Sequence, residues 1–408
     1  MKFTQPLKYI VIFFLLLFNC IYLYSDVSIR KFTPIPIEET LEGRFGFALK
    51  QKDINGITII HIKGTPYQMG YQIGFLLKKE LTKVYDEAFS NTSINNAIKK
   101  QDGINHFIKI WEKAEPFINK KILDEIQGIS DGSGIPVDII KSAAVLSETN
   151  FYGCSNFVVW GKATADKELL HGRNLDVTSR INLHKYPVII IRYNNDNVSA
   201  DIGFLGQIGT LTAMNNNGMT VAIDDLFGYN NRTFSGIPRM ILAREIMERK
   251  RQKEVITLLK SAQKTIGTIY ILSNWTERNA CVVDTDAKYS VVRGPSTPKR
   301  SIYANPYVLI ATNFSFSEYF KTGQGYDRYY KLAEGIYNSY GTINIEKAIL
   351  LLQSVSEKNT IQSVVFKPSS LDFWVAYSDG KIPAPYREFV HYNLKNLIDT
   401  YHDKSKFK

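Results

Sequence analysis

Cys154 lies in Phe151-Tyr152-Gly153-Cys154-Ser155-Asn156, with a glycine before the thiol and a hydroxyl residue after it. Arg173 and Asp176 follow 19 and 22 positions later, in His171-Gly172-Arg173-Asn174-Leu175-Asp176. A small residue before a lone cysteine suits a nucleophile that is uncovered when the chain is cut in front of it. Breaking Gly153–Cys154 would give one residue both a thiol and a free α-amine. The amine (pKa roughly 7.7–8) can take the thiol proton (pKa roughly 8.5), so nucleophile and base arrive together.

The elements that must position this group can be read from periodicity. The chain has 408 residues, 44% hydrophobic and 22% charged, enough for one large core or two modest ones. Its 24 Tyr and 23 Phe suit a sheet-rich fold with apolar pockets. Residues 26–55 read as an extended lead-in, followed by a strand at 57–62. Thr65 and Pro66 open a helix whose apolar positions run from Met69 to Leu81 and Val84. Further helix is expected across 107–128 and 137–146, so residues 26–153 form a mainly helical part. Beyond Cys154 the character changes to β-rich runs punctuated by Gly and Asn, interrupted by helices near 238–249, 255–260, 327–337 and 345–353. Residues 154–408 therefore read as a β-rich portion, antiparallel sheets under helix layers, forming one folded unit with the part before it.

The formal charge is +11, but the basic residues are scattered and no basic stripe is interleaved with aromatics, so nucleic acid is not expected as a partner. Residues 1–25 read as an export leader, with an apolar run from Ile10 to Phe18. Export would place the protein in the periplasm, outside the cell or on a membrane. Cys20 follows Leu17-Phe18-Asn19, a loose lipoprotein pattern, so it is either a lipidation site tethering the protein to a membrane or one more leader residue; an uncleaved anchor is the third possibility. With the leader removed only Cys154 and Cys281 remain, and Cys281, in Asn279-Ala280-Cys281-Val282-Val283, reads as a buried small hydrophobe rather than a disulfide partner. The histidines show no metal-ligand spacing, and no phosphate-cradling glycine loop is present, so neither metal nor nucleotide cofactor is expected.

Four segments in order carry a resemblance: Gly-Cys-Ser-Asn at 153–156, His-Gly-Arg-Asn-Leu-Asp at 171–176, Ala311-Thr312-Asn313, and Tyr326-Asp327-Arg328-Tyr329. Together they resemble the cysteine-type N-terminal-nucleophile hydrolases, in particular the penicillin acyltransferase-type autoproteolytic group, with acid ceramidase, N-acylethanolamine acid amidase and bile-salt hydrolase as similar relatives. Gly64 to Gly74 and Glu125 to Gly132 also resemble the helical part of the acyltransferase group. The resemblance implies an α+β fold, a four-layer αββα sandwich. It also implies a self-cleaving amidohydrolase or acyltransferase, acting through an acyl-thioester on linear amides with an apolar acyl group. The substrate would be a small-molecule amide or lipid amide, and the two processed chains would stay associated.

Carried over position by position, Cys154 is the nucleophile for self-cleavage after Gly153 and for attack on substrate. Arg173 holds the thiolate, Asp176 accepts from the Cys154 α-ammonium, Asn313 helps build an oxyanion hole, and Arg328 supports the site. One departure falls at 224–225, where relatives carry asparagine and this chain has Asp224-Asp225, with Asp225 in the matching slot and an oxyanion or substrate contact implied. Taken singly, the residues have plainer readings: an Arg173–Asp176 surface pair, an Asn313 glycosylation acceptor in Asn-Phe-Ser, and a helix-face charge at Arg328. Two rival functions stay open: a papain-like hydrolase using Cys154 with His171 or His391, and a binding protein of the same fold that is not processed.

Overall fold

The computed structural model describes residues 27–33, 44–54, 56–90, 103–149, 152–177, 182–295, 303–313, 315 and 326–405. The expected leader, including Cys20, lies outside them.

Alternation along the strands builds two stacked sheets, because successive side chains point to opposite faces. In Tyr152–Val159, Val158 joins a core shared with Ala222 and Ile269 of the other sheet, while Phe157 and Val159 turn the other way, toward helices Tyr326–Asn338 and Ile345–Ser354. Among the described residues the first sheet has seven strands in the order Ile29–Lys31, Phe389–Asn393, Asp372–Tyr377, Thr360–Lys367, Leu170–Val177, Tyr152–Val159 and Val308–Thr312. The second has ten among the described residues: Ser290–Arg293, Asn279–Thr285, Thr268–Asn274, Met219–Asp225, Thr212–Asn215, Asn197–Phe204, Pro187–Asn194, Thr58–Lys63, Ala48–Lys52 and Arg44–Phe45. Their inner faces meet where Ile59, Ile189 and Ile191 pack against Val364, Phe366 and Phe373. Helices Pro66–Leu76, Lys120–Ser133 and Val137–Val145 cover the other face of the ten-stranded sheet at Ile60, Ile62 and Val188; Arg239–Ile246 and Gln252–Ser261 cover it at Val221, Tyr270 and Val283. The fold is thus α+β, a four-layer αββα sandwich.

Several local expectations needed correction. Between 26 and 55 the described residues hold three strands: Ile29–Lys31 and Arg44–Phe45 are edges of the two sheets, Ala48–Lys52 lies beside the latter, and a two- or three-residue edge strand leaves little alternation to read. The sheets are not wholly antiparallel: Ile29–Lys31 runs parallel to Phe389–Asn393, and Thr58–Lys63 parallel to Pro187–Asn194. The helix opened by Thr65, which caps it reciprocally with Gln68, stops at Leu76, and a second helix takes over at Lys78–Ser90. The expected 107–128 helix is two, Ile104–Ala114 and Lys120–Ser133, parted by Glu115-Pro116-Phe117, with Asn119 capping the second.

Glycine decides how Pro66–Leu76 meets Lys120–Ser133. A Cβ at Gly70 would stand 2.0 Å from the Glu125 carbonyl oxygen, and one at Gly128 would stand 2.1 Å from that of Tyr67. Gly74 and Gly132 are equally tight, at 2.4 Å and 2.3 Å from the carbonyls of Ile129 and Tyr71. The two helices therefore touch backbone to backbone. Beside this contact, Glu125 enters a buried ion network: Arg192 pairs with Glu125 at 2.6 Å and with Asp201 at 2.7 Å, and Asp201 also accepts from Thr210 at 2.7 Å.

Candidate active site

Cys154 is fully buried on the inner face of Tyr152–Val159, opposite Leu175 of the neighbouring strand. Arg173, two residues back on Leu170–Val177, shares that face and brings Nη2 to 3.6 Å from Cys154 Sγ. Its Nη1 donates to the Ile223 carbonyl at 2.9 Å, fixing the guanidinium against the second sheet. The strand period puts Asp176 on the opposite face, across from Gly153. A Cβ at Gly153 would approach Asp176 Oδ2 to 3.3 Å and Arg328 Nη2 to 3.8 Å, so the missing side chain keeps that carboxylate close to the bond before Cys154. Asp176 accepts from Arg328, at the start of helix Tyr326–Asn338, and from Thr360 Oγ1 at 2.5 Å.

Asn313 follows the edge strand Val308–Thr312 and joins these groups. Its Oδ1 accepts from the Cys154 backbone N–H at 3.1 Å and from Arg328. Its Nδ2 donates to Asp224 Oδ1 at 2.5 Å and to the Asp225 carbonyl at 3.0 Å. In the continuous chain that amide is therefore engaged with protein oxygens, and an oxyanion role requires the pairing to open. Asn313 is fully buried, so the glycosylation pattern it begins is inaccessible in the fold. Nearby, Ser315 and Arg293 both donate to Asp284, and Arg293 also holds the Ile310 carbonyl, which fixes the segment carrying Asn313.

The two aspartates at 224–225 diverge, as neighbours on a strand must. Asp225 turns to Arg239 and offers only its carbonyl to Asn313. Asp224 faces the thiol instead, and its Oδ2 has no nitrogen or oxygen partner. The residue in the slot that matches the relatives' asparagine is thus not the one beside the sulfur.

Burial sets the electrostatics. It pushes the Cys154 thiol far up; Arg173 pulls against this, while Asp224 and Asp176 add to it. Burial also raises the Asp224 carboxyl to about 8 despite Arg328 and Arg173, and raises that of Asp176 against Arg328 and Thr360. For Arg328, burial works against the charge, but Asp176 and Asp224 outweigh it and the guanidinium pKa rises. The cluster is a neutral thiol among fixed cations, with a half-committed carboxyl next to it.

The histidines lie elsewhere. His171 stands opposite Val158 with Nδ1 2.7 Å from Thr220 Oγ1, and burial together with Arg173 pulls its pKa down to about 3. His391 pairs with Asp372 and stacks on Trp374, with three strands between its own and the Cys154 strand. Neither meets the sulfur. Cys281 is buried in its strand, its thiol pushed up to about 12 by burial. Among the described residues no group of three or more His, Cys, Asp or Glu side chains is placed to hold a metal ion.

A small cavity of about 70 Å³ has walls including Tyr85, Phe89, Leu146, Leu175, Phe204 and Met240, and Leu175 stands opposite Cys154 in the neighbouring strand. Leu175, Phe204 and Met240 belong to the same apolar core as Cys154. Sequence reasoning missed Thr360, Arg239 and Glu148, whose surroundings carry no motif; only their buried partners reveal them.

No family model matches the chain. In sequence it is similar to an uncharacterized protein of Archaeoglobus fulgidus, at 22% identity over 383 residues, covering 79% of this chain and 64% of that protein. It is also similar to protein dcd1A of Dictyostelium discoideum, at 27% identity over 305 residues, covering 67% and 68% of the two chains. The chain thus spans less than two thirds of the length of the Archaeoglobus relative. Among solved structures it is similar to a Caenorhabditis elegans ortholog of N-acylethanolamine-hydrolyzing acid amidase, at 16% identity and a TM-score of 0.43, over 53% of this chain and 93% of that one. A variant of conjugated bile acid hydrolase from Clostridium perfringens overlaps at 13% identity and a TM-score of 0.44, over 60% and 93%.

Proposed function

We propose that this chain is a self-cleaving amide hydrolase or acyltransferase whose nucleophile is Cys154. One observation carries the reading: the sulfur and the backbone nitrogen of the same buried residue are held by different groups, Sγ beside Arg173 and N–H on Asn313. That is the arrangement needed to swap an N-acyl bond for an S-acyl bond. Asp224, the free-edged carboxyl beside the thiol, accepts its proton; Sγ bonds to the Gly153 carbonyl carbon, the C–N bond breaks, and the Cys154 nitrogen leaves as an amine after taking up a proton. Water then hydrolyses the thioester and frees Gly153 as a carboxylate. The new amine serves as the base in later turnovers, in which the sulfur attacks the substrate amide. Arg173 stabilises the thiolate, and Asp176 with Arg328 orients the new terminus.

The apolar cavity lined by Leu175, the cross-strand neighbour of Cys154, supports an apolar group on the substrate. The placement of His171 and His391 disfavours the papain-like alternative. Export remains part of the proposal, with Cys20 either a lipid tether or one more leader residue. Denaturing electrophoresis with N-terminal sequencing tests it: wild type gives two fragments, the larger beginning Cys-Ser-Asn-Phe, and Cys154→Ala stays whole. A wild-type protein that remains one uncut chain while hydrolysing N-acyl coumarin amides at full rate would overturn the reading.

A further inference from the structure

We infer that Glu148, gripped by Arg239, is a positioning residue for the Gly153–Cys154 bond, an inference that rests on the self-cleavage proposed above. Glu148 precedes the scissile glycine by five residues and its side chain is wholly buried. Every acceptor it has is used. Oε1 takes the Arg239 backbone N–H at 3.1 Å, Oε2 takes the Thr265 hydroxyl at 2.5 Å, and its carbonyl takes Arg232 Nη2 at 2.8 Å. The Ser147 carbonyl accepts from the Arg239 guanidinium.

Two features give this grip a direction. Arg239 opens helix Arg239–Ile246, whose own N-cap, Pro238, makes no side-chain cap bond, so the carboxylate of Glu148 caps that helix from the far side of the cleavage junction. Arg239 also pairs with Asp225, whose carbonyl holds Asn313, which in turn holds the Cys154 N–H. One set of contacts therefore fixes the chain on both flanks of the junction, at Glu148 and at Cys154. With both ends fixed, the Gly153 carbonyl is confined near Sγ. With Glu148 released, the upstream flank loses its anchor while the thiol keeps its own neighbours. After cleavage the same grip retains the end of the upstream fragment against the site.

The test follows pulse-labelled full-length chain from cell-free synthesis as it converts to fragments. Glu148→Ala is expected to slow conversion at least tenfold while keeping the pH dependence of wild type. Glu148→Gln, which preserves the acceptor toward Arg239, is expected within about threefold of wild type. Thr265→Val, which removes one bond, should fall between them, and it carries the test should Glu148→Ala fail to unfold cooperatively. Wild-type conversion in Glu148→Ala or Thr265→Val, no recovery in Glu148→Gln, or an altered pH profile would overturn the positioning role alone. An uncut wild type would overturn the self-cleavage reading and this inference with it.

Discussion

Asp224→Asn removes the proposed proton acceptor of the uncut chain while leaving an oxygen for Asn313 to donate to. Burial raises the Asp224 carboxyl to about 8. The carboxylate is then about 1% of molecules at pH 6, about 9% at pH 7 and about half at pH 8, by simple titration. Self-cleavage that needs this carboxylate should speed up about ninefold from pH 6 to pH 7 and about fivefold from pH 7 to pH 8, about 50-fold in all, and level off above. Asp224→Asn should lower the rate by on the order of 10²–10⁴, the usual worth of a placed general base, and flatten the profile. The assay is conversion of pulse-labelled precursor between pH 5.5 and 9. A mutant that keeps the wild-type slope, or a wild type that cuts faster as the pH falls, refutes the assignment. The same group has a stability signature. A folded pKa above the ordinary value means that its contribution is fully present below about pH 4 and is lost as pH rises through about 8. In a Cys154→Ala background, Asp224→Asn should therefore raise the melting temperature above pH 8 and leave it unchanged near pH 4.

Asn313→Ala takes the acceptor from the Cys154 N–H and the donor from the Asp225 carbonyl; it should mature slowly and lose on the order of 10²–10³ in kcat, measured on the cleaved fraction. Gly128→Ala would drive a methyl to 2.1 Å from the Tyr67 carbonyl. Overpacking of about 1–3 kcal/mol should outweigh the helix-propensity gain of up to about 1 kcal/mol, lowering the urea midpoint of the uncut Cys154→Ala chain; a rise would disprove the backbone contact. Glu125→Ala strips one partner from buried Arg192 and should cost about 3–5 kcal/mol by the same measurement.

The apolar run from Val188 to Tyr193 was legible because a strand covered on both faces is apolar almost throughout. The strand ends were not: Tyr152–Val159 begins before its apolar stretch and Leu170–Val177 continues through Arg173 and Asp176, since polar residues complete both strands where the cluster forms. Asp224 and Asp225 look equivalent in a sequence, and only the register of Met219–Asp225 assigns one to the sulfur and the other to Arg239. The glycines at 70, 74, 128 and 132 were noticed as part of a resemblance, but their reason, two helices in backbone contact, is a property of the pair that neither segment displays alone.

The segment ahead of Cys154 supplies the outer strands of each sheet: Ile29–Lys31 lies along Phe389–Asn393, and Thr58–Lys63, with two strands beyond it, along Pro187–Asn194. A severed molecule would therefore be woven together by ladder hydrogen bonds, and its pieces could part only by melting. The larger piece, once stripped, would bare the isoleucine-rich rim of Pro187–Asn194 to any passing strand. Severing would thus act as a one-way ratchet: a heated precursor could find its way back, whereas a heated, processed protein would precipitate.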